Sequence, residues 1–298
     1  MQCYFRYENG DYRKEMRDVM QEKTLTLSDQ EKKSPYAKYY DWKHGPLDEA
    51  AVAAYNEDVV FDPSQATSIS QVNDLLKPGY LPMELGVCQF PDGGGVFANH
   101  IMMPEVTPEM FTWFMCWFPF EDVRYKIWVP GAHYAASVSD EMKSILMNPD
   151  RTFAHKLRGT KRMICEDMGG GVGTINMTWV CPAEIGFDMA VYPKEPDDGF
   201  MVLVLGANDE AKLNIILCHY LRPLPSGGSE LRSRFWVGYG MEKGKLACKL
   251  PPGRQIPREV LRYMWNHNIL EYSRLRDILP LLYKEFSDKP LDYGMVQE

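Results

Sequence analysis

The sequence predicts an α+β fold in which a curved antiparallel sheet wraps one long C-terminal helix. Three observations predict it. Short strand-like runs, separated by Pro, Gly and Ser clusters, fill the chain from Gly79 onward. A long helical pattern then begins near Arg258 and closes the chain. Strands and helices do not alternate regularly and no segment repeats, which argues against the parallel α/β architectures.

The first 77 residues differ from the rest because they are polar and charged. Within them, "LDEAAVAAYNEDVV" (Leu47–Val60) has helical spacing, and "SISQVNDLLKPGYLP" predicts a short helix that ends at Pro78-Gly79. We therefore expect residues 1–77 to form a helical N-terminal extension, which serves as a lid or an oligomer contact, and residues 78–298 to form the main domain. A mobile tail is the alternative for the extension.

The predicted strands begin with a β-hairpin, "YLPMELGVCQF" and "VFANHIMM", joined by a Gly-rich turn. A helix follows, with Thr107 as its N-cap, Pro108 at its first position and Glu109 in its first turn. The segment "DVRYKIWVP" is then predicted to return to strand. Four further strands are predicted in "VGTINMTWV", "GFMVLVLGA", "AKLNIILCHYLRP" and "SRFWVGYGM".

Composition excludes several classes of function. The net charge of −8 and the lack of a basic run argue against a nucleic-acid partner. The longest apolar stretch, Met110–Phe120, is too short to cross a membrane, and the N-terminus has no signal-peptide core. Seven scattered cysteines suit reduced thiols in a cytoplasmic protein. The "MGGGVGT" segment lacks the Lys-Ser/Thr pair of a phosphate loop, so a turn between strands is predicted there.

The C-terminal helix carries a polar pair on an apolar stripe. His267 and Glu271 are four residues apart, so an imidazole nitrogen and a carboxylate oxygen there can bind one metal ion. A hydrogen-bonded pair on a solvated face is the alternative, but a buried carboxylate is costly unless a cation offsets it. Pro280, beyond the pair, is expected to kink or loosen the helix. The stripe consists of Val260, Met264, His267, Glu271, Leu275, Ile278 and Leu282.

Further polar residues are predicted to face the interior. His133 follows a Pro-Gly turn, and Glu166 and His219 have apolar neighbours two residues away on both sides, as an inward position on a strand requires. Tyr125 and Tyr239 share a strand phase with apolar neighbours and are expected to place phenols in the same interior. A single inward histidine is more often a hydrogen-bonded core residue, and the other three histidines are assigned no role.

Several long motifs resemble one family, the zinc-dependent carbon–carbon hydrolases of acylphloroglucinols, which includes 2,4-diacetylphloroglucinol hydrolase and phloretin hydrolase. The resemblance covers the chain from Gly79 to about Leu282. It implies a Bet v 1-like (helix-grip) catalytic domain that binds zinc through two His and two Glu. The matching zinc ligands are His133, Glu166, His267 and Glu271, and the polar groups that face the substrate are Tyr125, His219 and Tyr239. The motifs are "PGYLPMELGVCQFPDGGG", "MPEVTPEMFTWFMCWFPFEDVRYKIWVPGAHY", "CEDMGGGVG", "SRFWVGY" and "WNHNILEYSRL".

The reaction implied by the resemblance cleaves the bond between an aromatic ring carbon and an acyl carbonyl. His219 is expected to be a general base or proton shuttle, since its ordinary pKa lies near neutrality. Tyr125 and Tyr239 are expected to hold ring hydroxyls or stabilise oxyanion charge. The family pattern has an Asn three residues after the first zinc ligand, where this chain has Ala136. That departure favours phloretin-like substrates over diacetylphloroglucinol, and both acetyl and dihydrocinnamoyl groups stay open.

Three other interpretations are kept. One is a non-catalytic helix-grip module that binds a hydrophobic aromatic ligand. Another is an iron enzyme that consumes oxygen, because His and carboxylate ligands suit iron too. The third is a purely structural zinc, because four protein ligands resemble a closed site. The expected partner is a small acylated polyphenol, and a homodimer is expected only from the frequency of such assemblies.

Overall fold

The computed structural model describes residues 25–193, 199–209 and 211–295. Its strands are β1 (Gly86–Gln89), β2 (Gly95–Met103), β3 (His133–Ser137), β4 (Lys161–Asp167), β5 (Val172–Trp179), β6 (Phe200–Asn208), β7 (Leu213–Pro223), β8 (Ser229–Val237), β9 (Tyr239–Glu242) and β10 (Lys245–Cys248). Its α-helices are α1 (Glu49–Asn56), α2 (Pro108–Trp117), α3 (Asp122–Lys126), α4 (Asp140–Met147), α5 (Phe153–Leu157) and α6 (Arg258–Phe286). Short 3₁₀ helices occur at Glu31–Lys33, Ala37–Tyr39, Ile69–Leu76, Phe118–Phe120 and Pro182–Ile185.

The strands form one large sheet and one small one. Eight strands pair in the order β1-β2-β8-β7-β6-β5-β4-β3, and every neighbouring pair is antiparallel. Strands β9 and β10 pair separately. One face of the large sheet packs against α6, which contacts β1 and β2. The predicted α+β, helix-grip arrangement is confirmed.

Local sequence signals account for several of these elements. The Thr107 side chain accepts a hydrogen bond from the Met110 N–H at 3.2 Å, which caps α2 as predicted. The glycine-rich segment after β4 is the predicted turn, and the Asp167 carboxylate accepts hydrogen bonds from Gly169 and Gly171 within it. Helix α6 begins at Arg258 and continues past Pro280 to its last turn. No helix in the described ranges combines the length and apolarity that a bilayer crossing needs.

One predicted element is wrong. The segment "DVRYKIWVP" is not a strand, because residues 122–126 form α3. Its alternation of apolar and charged residues resembles a half-buried strand, but the charged side chains are buried as well. Arg124 donates to Glu121 at 2.8 Å and to the Leu291 carbonyl at 2.6 Å, and Lys126 pairs with Glu31 at 2.8 Å. Strand alternation would place the Arg124 and Lys126 side chains on a solvent-exposed face. In the structure, partners that include residues distant in sequence satisfy them instead.

The described part of the N-terminal extension packs on the main core. Tyr36, Tyr39 and Ala51 are buried in the same hydrophobic cluster as α6. Arg274 on α6 donates to the carbonyls of Trp42 and Tyr39, both at 2.9 Å. These contacts tie residues 25–77 to the helix that carries the polar pair, whereas the domain boundary at residue 77 stays a prediction. Residues 1–24 lie outside the described ranges.

Candidate metal centre

Four buried side chains from three elements meet on the inner face of the sheet. His133 begins β3, Glu166 lies on β4, and His267 and Glu271 lie on α6. His133 is paired directly opposite Glu166 in the antiparallel ladder, which places the two side chains together. All four are no more than 8% exposed. The structure therefore brings together the four residues that the resemblance pointed to.

The ring nitrogens and carboxylate oxygens of these residues converge. The two imidazole Nε2 atoms are 3.3 Å apart. Glu166 Oε2 lies 3.4 Å from His133 Nε2 and 3.5 Å from His267 Nε2, and Glu271 Oε2 lies 3.9 Å and 3.8 Å from the same two atoms. Ligand atoms of His133, His267 and Glu271 all lie within 4.8 Å of one another. This buried group could bind a metal ion, since two imidazoles and two carboxylates are a ligand set common at divalent cations.

The protein fixes the tautomer of one imidazole. His133 Nδ1 lies 3.1 Å from the Tyr125 carbonyl oxygen, which can only accept, so Nδ1 carries the proton. His133 Nε2 then points its lone pair toward the other three residues, as a metal ligand must. The Tyr125 ring stacks on this imidazole at 3.8 Å, and the Tyr125 hydroxyl donates to Glu166 Oε2 at 2.5 Å. Tyr125 therefore positions two residues of the cluster at once.

When no metal ion is bound, burial and the contacts among the four side chains determine which of them are protonated. Burial lowers the pKa of His133 to about 3 and raises the pKa of Glu271 to about 8. Burial would also lower the pKa of His267, but the adjacent Glu166 carboxylate outweighs it and raises that pKa to about 9. For Glu166 burial is likewise outweighed, and the two imidazoles lower its pKa to about 2. At neutral pH the group is thus a His267–Glu166 ion pair beside a protonated Glu271.

Metal binding is expected to release roughly two protons at neutral pH, because His267 and Glu271 must both lose a proton to become ligands. Protons compete with the ion for these two residues, so the affinity for Zn²⁺ should fall as the pH falls below about 9, and more steeply below about 8. Calorimetric titration with Zn²⁺ in two buffers of different ionisation enthalpy measures the number of protons. Binding without proton release, at a pH-independent affinity, would contradict this protonation scheme.

A chain of two amides orients one carboxylate. Asn268 Nδ2 donates to Glu271 Oε1 at 3.1 Å, and Asn268 Oδ1 accepts from Asn99 Nδ2 on β2 at 2.8 Å. Glu271 Oε1 is therefore occupied, and Oε2 is the oxygen that faces the imidazoles. This leaves Glu271 one oxygen for the ion, which limits the crowding that four protein ligands would cause.

Replacing Asn268 by Ala is expected to weaken Zn²⁺ binding by roughly 10- to 100-fold, the usual cost of losing a partner that orients a ligand. Competition with a chromophoric chelator measures the affinity. Asn176→Ala is the matched control, because that amide donates to Asp209 on an exposed part of the sheet. Equal affinities in the Asn268 variant and the wild type would show that the amide does not orient Glu271.

His219 lies in a buried chain of hydroxyl and imidazole groups. Its Nδ1 is 2.8 Å from Ser233 Oγ and its Nε2 is 2.8 Å from the Tyr272 hydroxyl. Burial lowers the pKa of His219 to about 3, well below the ordinary histidine value, so the imidazole is neutral. Tyr272 was missed in the sequence analysis. Its position directly after Glu271 was the available signal, although a one-residue step rarely leaves two side chains at one site.

Tyr239 is not brought to this interior. The prediction assumed that the strand alternation of Phe235 and Val237 continues to Tyr239. Gly238 has φ of +91° and separates β8 from β9, so the alternation ends there. Tyr239 packs instead in the second hydrophobic cluster, against Gly94, and donates to Asp92 at 2.7 Å. The expected inward position of Tyr239 is wrong.

Ala136 is buried in the main core and does not line the cavity beside the four-residue cluster.

That cavity has apolar walls and one polar end. Its empty volume is about 560 Å³, including its open side. Glu166, His267 and Glu271 line it together with His219 and Tyr125. The apolar walls beside the buried cluster suit contact with an aromatic ring. The other lining residues are Met115, Phe118, Trp128, Ile164, Met168, Met177, Trp179, Val202, Val204, Leu217, Phe235, Met264, Asn268 and Tyr272.

Comparison with known proteins matches most of the chain. The family model "DAPG hydrolase PhiG domain" matches residues 67–284. A phloretin hydrolase of Eubacterium ramulus is 31% identical over 270 residues, which are 88% of this chain and 94% of that protein. A 2,4-diacetylphloroglucinol hydrolase of a Pseudomonas species is 26% identical over 262 residues, which are 85% of this chain and 88% of that protein.

Among solved structures, the chain is similar to Ara h 8.0201, with a TM-score of 0.33 and 13% identity over 62% of this chain and 100% of that one. It is also similar to a protein of unknown function, SA2116 from Staphylococcus aureus, with a TM-score of 0.36 and 10% identity over 64% of this chain and 98% of that one.

Proposed function

We propose that this chain, which belongs to the DAPG hydrolase family, is a zinc-dependent hydrolase that cleaves the aryl–acyl carbon–carbon bond of acylphloroglucinols. Water supplies a hydroxyl to the acyl carbon and a proton to the ring carbon, so the products are a phloroglucinol and a carboxylic acid. The observation that carries the proposal is the buried cluster of His133, Glu166, His267 and Glu271 at the polar end of an apolar cavity.

The four cluster residues are proposed as the zinc ligands, with one ligand nitrogen or oxygen from each. Zn²⁺ bound there would polarise the acyl oxygen and lower the pKa of a water molecule beside it. The ligand set suits that role, because Glu166 and Glu271 carry two negative charges once Glu271 is deprotonated and so balance a divalent ion. The cluster also opens onto a cavity, which distinguishes it from a closed structural site.

Tyr125 is proposed to hold a ring hydroxyl of the substrate, because its oxygen can accept a hydrogen bond while its proton is donated to Glu166 Oε2. Burial and the Glu166 charge hold the pKa of Tyr125 well above its usual range, so the phenol keeps its proton at neutral pH. The Tyr125 oxygen lies at the cavity wall, where it can accept from a ring hydroxyl without reorganising solvent. Tyr239 takes no part in this proposal, because it lies in another cluster.

His219 is proposed as a proton shuttle to the ring carbon, in company with Tyr272. A neutral imidazole between two hydroxyls can accept a proton at one nitrogen and release one at the other, so no net charge is left in the apolar interior. The lowered pKa of His219 favours a neutral relay over a general base that would keep the proton as a charged imidazolium. Ser233 and Tyr272 would hold the two nitrogens in register for the transfer.

A substrate panel tests the proposed reaction. Phloretin, monoacetylphloroglucinol and diacetylphloroglucinol are offered to the zinc-loaded protein, and kcat/KM is measured from the release of phenol and acid. We expect release with all three and a preference for phloretin, following the 31% identity to a phloretin hydrolase. An oxygen electrode separates this reaction from iron-dependent oxidation. Uptake of oxygen in step with product would contradict hydrolysis, and binding without product would favour a plain carrier.

A further inference from the structure

Trp128 is a buried indole beside the cluster that the proposed chemistry does not use. It follows α3, lines the cavity and is 5% exposed. Its ring meets the imidazole of His133 edge-on, with the two ring centroids 5.1 Å apart and the planes at 86°. The same imidazole stacks on the Tyr125 ring. The His133 ring is therefore held by two aromatic side chains from one short segment.

The indole N–H of Trp128 reaches across to the helix. The cluster has a strand half, His133 and Glu166, and a helix half, His267 and Glu271. Trp128 Nε1 donates to the backbone carbonyl of Glu271 at 2.9 Å. A carbonyl oxygen has two lone pairs, so it can accept this bond as well as the bond of the helical ladder. The indole thus restrains the backbone of α6 at a residue whose side chain belongs to the cluster.

A second hydrogen bond joins the same two segments in the opposite direction. Arg274 Nε on α6 donates to the Ile127 carbonyl at 3.0 Å. Residues 127 and 128 are adjacent, and Glu271 and Arg274 are three residues apart, which places them on one side of α6. We call the two bonds, Trp128 Nε1 to Glu271 and Arg274 Nε to Ile127, the helix clamp. Two bonds at separate points restrain both the translation and the rotation of α6, whereas a single bond would act as a pivot.

The helix clamp also leads directly to the strand half of the cluster. The Tyr125 carbonyl accepts from the Trp128 backbone N–H and from His133 Nδ1, both at 3.1 Å. The oxygen that orients the His133 imidazole therefore also holds the backbone of Trp128. Ligands of a metal ion must be held within roughly 0.5 Å of their working positions. A small shift of α6 away from Trp128 would separate the helix half from the strand half by that much.

We propose that Trp128 is a positioning residue for the metal centre. Through the helix clamp it holds the helix half of the cluster at the distance from the strand half that a divalent ion requires. The inference deepens the proposed function and rests on one part of it, the binding of a divalent ion by the four residues. It does not depend on which bond the enzyme cleaves.

The test compares two buried tryptophans in the full chain. Trp128→Phe removes the N–H donor and keeps an aromatic ring. Trp113→Phe is the matched control, because Trp113 is fully buried, does not line the cavity, and has no acceptor for its Nε1 in the part of the chain that the structure describes. Three quantities are measured: the Zn²⁺ affinity by competition with a chromophoric chelator, the visible spectrum at saturating Co²⁺, and the thermal unfolding of the metal-free protein.

We expect Trp128→Phe to bind Zn²⁺ about tenfold more weakly than Trp113→Phe, or weaker still, because an outer partner of a metal ligand is usually worth a factor of that size. We also expect its Co²⁺ spectrum to differ from that of the control, since the bands of bound Co²⁺ report the arrangement of the ligands. A difference from the control in either metal measurement supports the positioning role.

A role in folding alone would lower the unfolding temperature of metal-free Trp128→Phe and leave both metal measurements at their control values. That result would overturn the positioning role. If Trp128→Phe does not fold, Arg274→Lys, which removes the other bond of the helix clamp and keeps the charge, decides between the same outcomes.

Turnover of acylphloroglucinol by the wild type is measured separately. Turnover in the wild type with unchanged metal measurements in Trp128→Phe overturns the positioning role alone. Altered metal measurements without wild-type turnover support the positioning role and count against the proposed hydrolase function. A wild type that binds neither ion would overturn both.

Discussion

Replacing His267 by Ala is expected to remove stoichiometric zinc from the protein and to lower turnover by at least about 10³-fold, since a bound metal supplies several kcal/mol of transition-state stabilisation. Three reasons lead to this size of effect. His267 Nε2 lies within 4 Å of ligand atoms on the other three cluster residues. Its loss removes a ligand, and it also removes the group that most lowers the pKa of the buried Glu166. The remaining carboxylates would then take up protons rather than an ion.

Elemental analysis of the purified variant measures the metal, and circular dichroism checks the fold. The matched control is His44→Ala, which removes an imidazole in the exposed part of the N-terminal segment. It should retain zinc and activity. A His267 variant that kept both its zinc and its turnover would place the metal site elsewhere.

The second large effect is expected at His219. Replacement by Ala should lower kcat by about 10²- to 10⁴-fold, the usual contribution of a positioned proton-transfer group, and leave the zinc content unchanged. The reason is geometric, because His219 contacts Tyr272 and Ser233 but none of the four cluster residues directly. A normal metal content with a low kcat would separate proton transfer from metal binding.

Two further measurements make the His219 prediction specific. Tyr272→Phe should lose most of the same kcat, and the double variant should be little worse than either single one, because the two groups act as one relay. The burial-lowered pKa of about 3 keeps His219 neutral, so the wild-type pH profile should have no limb near the ordinary histidine value of about 6.5 that depends on His219. Additive losses, or a limb at that pH that vanishes in the His219 variant, would contradict the neutral shuttle.

Much of the site was predictable because its residues break regular patterns. His267 and Glu271 interrupt an apolar helical stripe, and Glu166 interrupts an apolar strand phase, so periodicity alone indicates that they face inward. His133 had only its place after a Pro-Gly turn, and the family resemblance alone grouped it with the other three residues. Periodicity cannot show which inward-facing residues from distant segments lie together. The antiparallel pairing of β3 with β4 places His133 opposite Glu166.

The residues that sequence reasoning misplaced or missed depend on tertiary contacts. Tyr125 was assigned to a strand because Arg124 and Lys126 were assumed to face water, whereas both are buried against distant partners in α3. Tyr239 followed a strand phase that Gly238 ends. Asn99 carries no local signal at all, since an amide on a strand is ordinarily a surface residue. Its position follows from the pairing of β2 in the sheet and from Asn268, which α6 places beside it.

The central claim is that the cluster binds zinc and that zinc is required for carbon–carbon bond hydrolysis. The most direct measurement follows acylphloroglucinol cleavage by the purified protein before chelation, after chelation and after Zn²⁺ is added back, with phenol, acid and bound metal quantified in each sample. We predict one phenol and one acid per substrate in the zinc-loaded protein, loss of both products with the metal, and recovery at one Zn²⁺ per chain. Undiminished cleavage by the metal-free protein would contradict the claim.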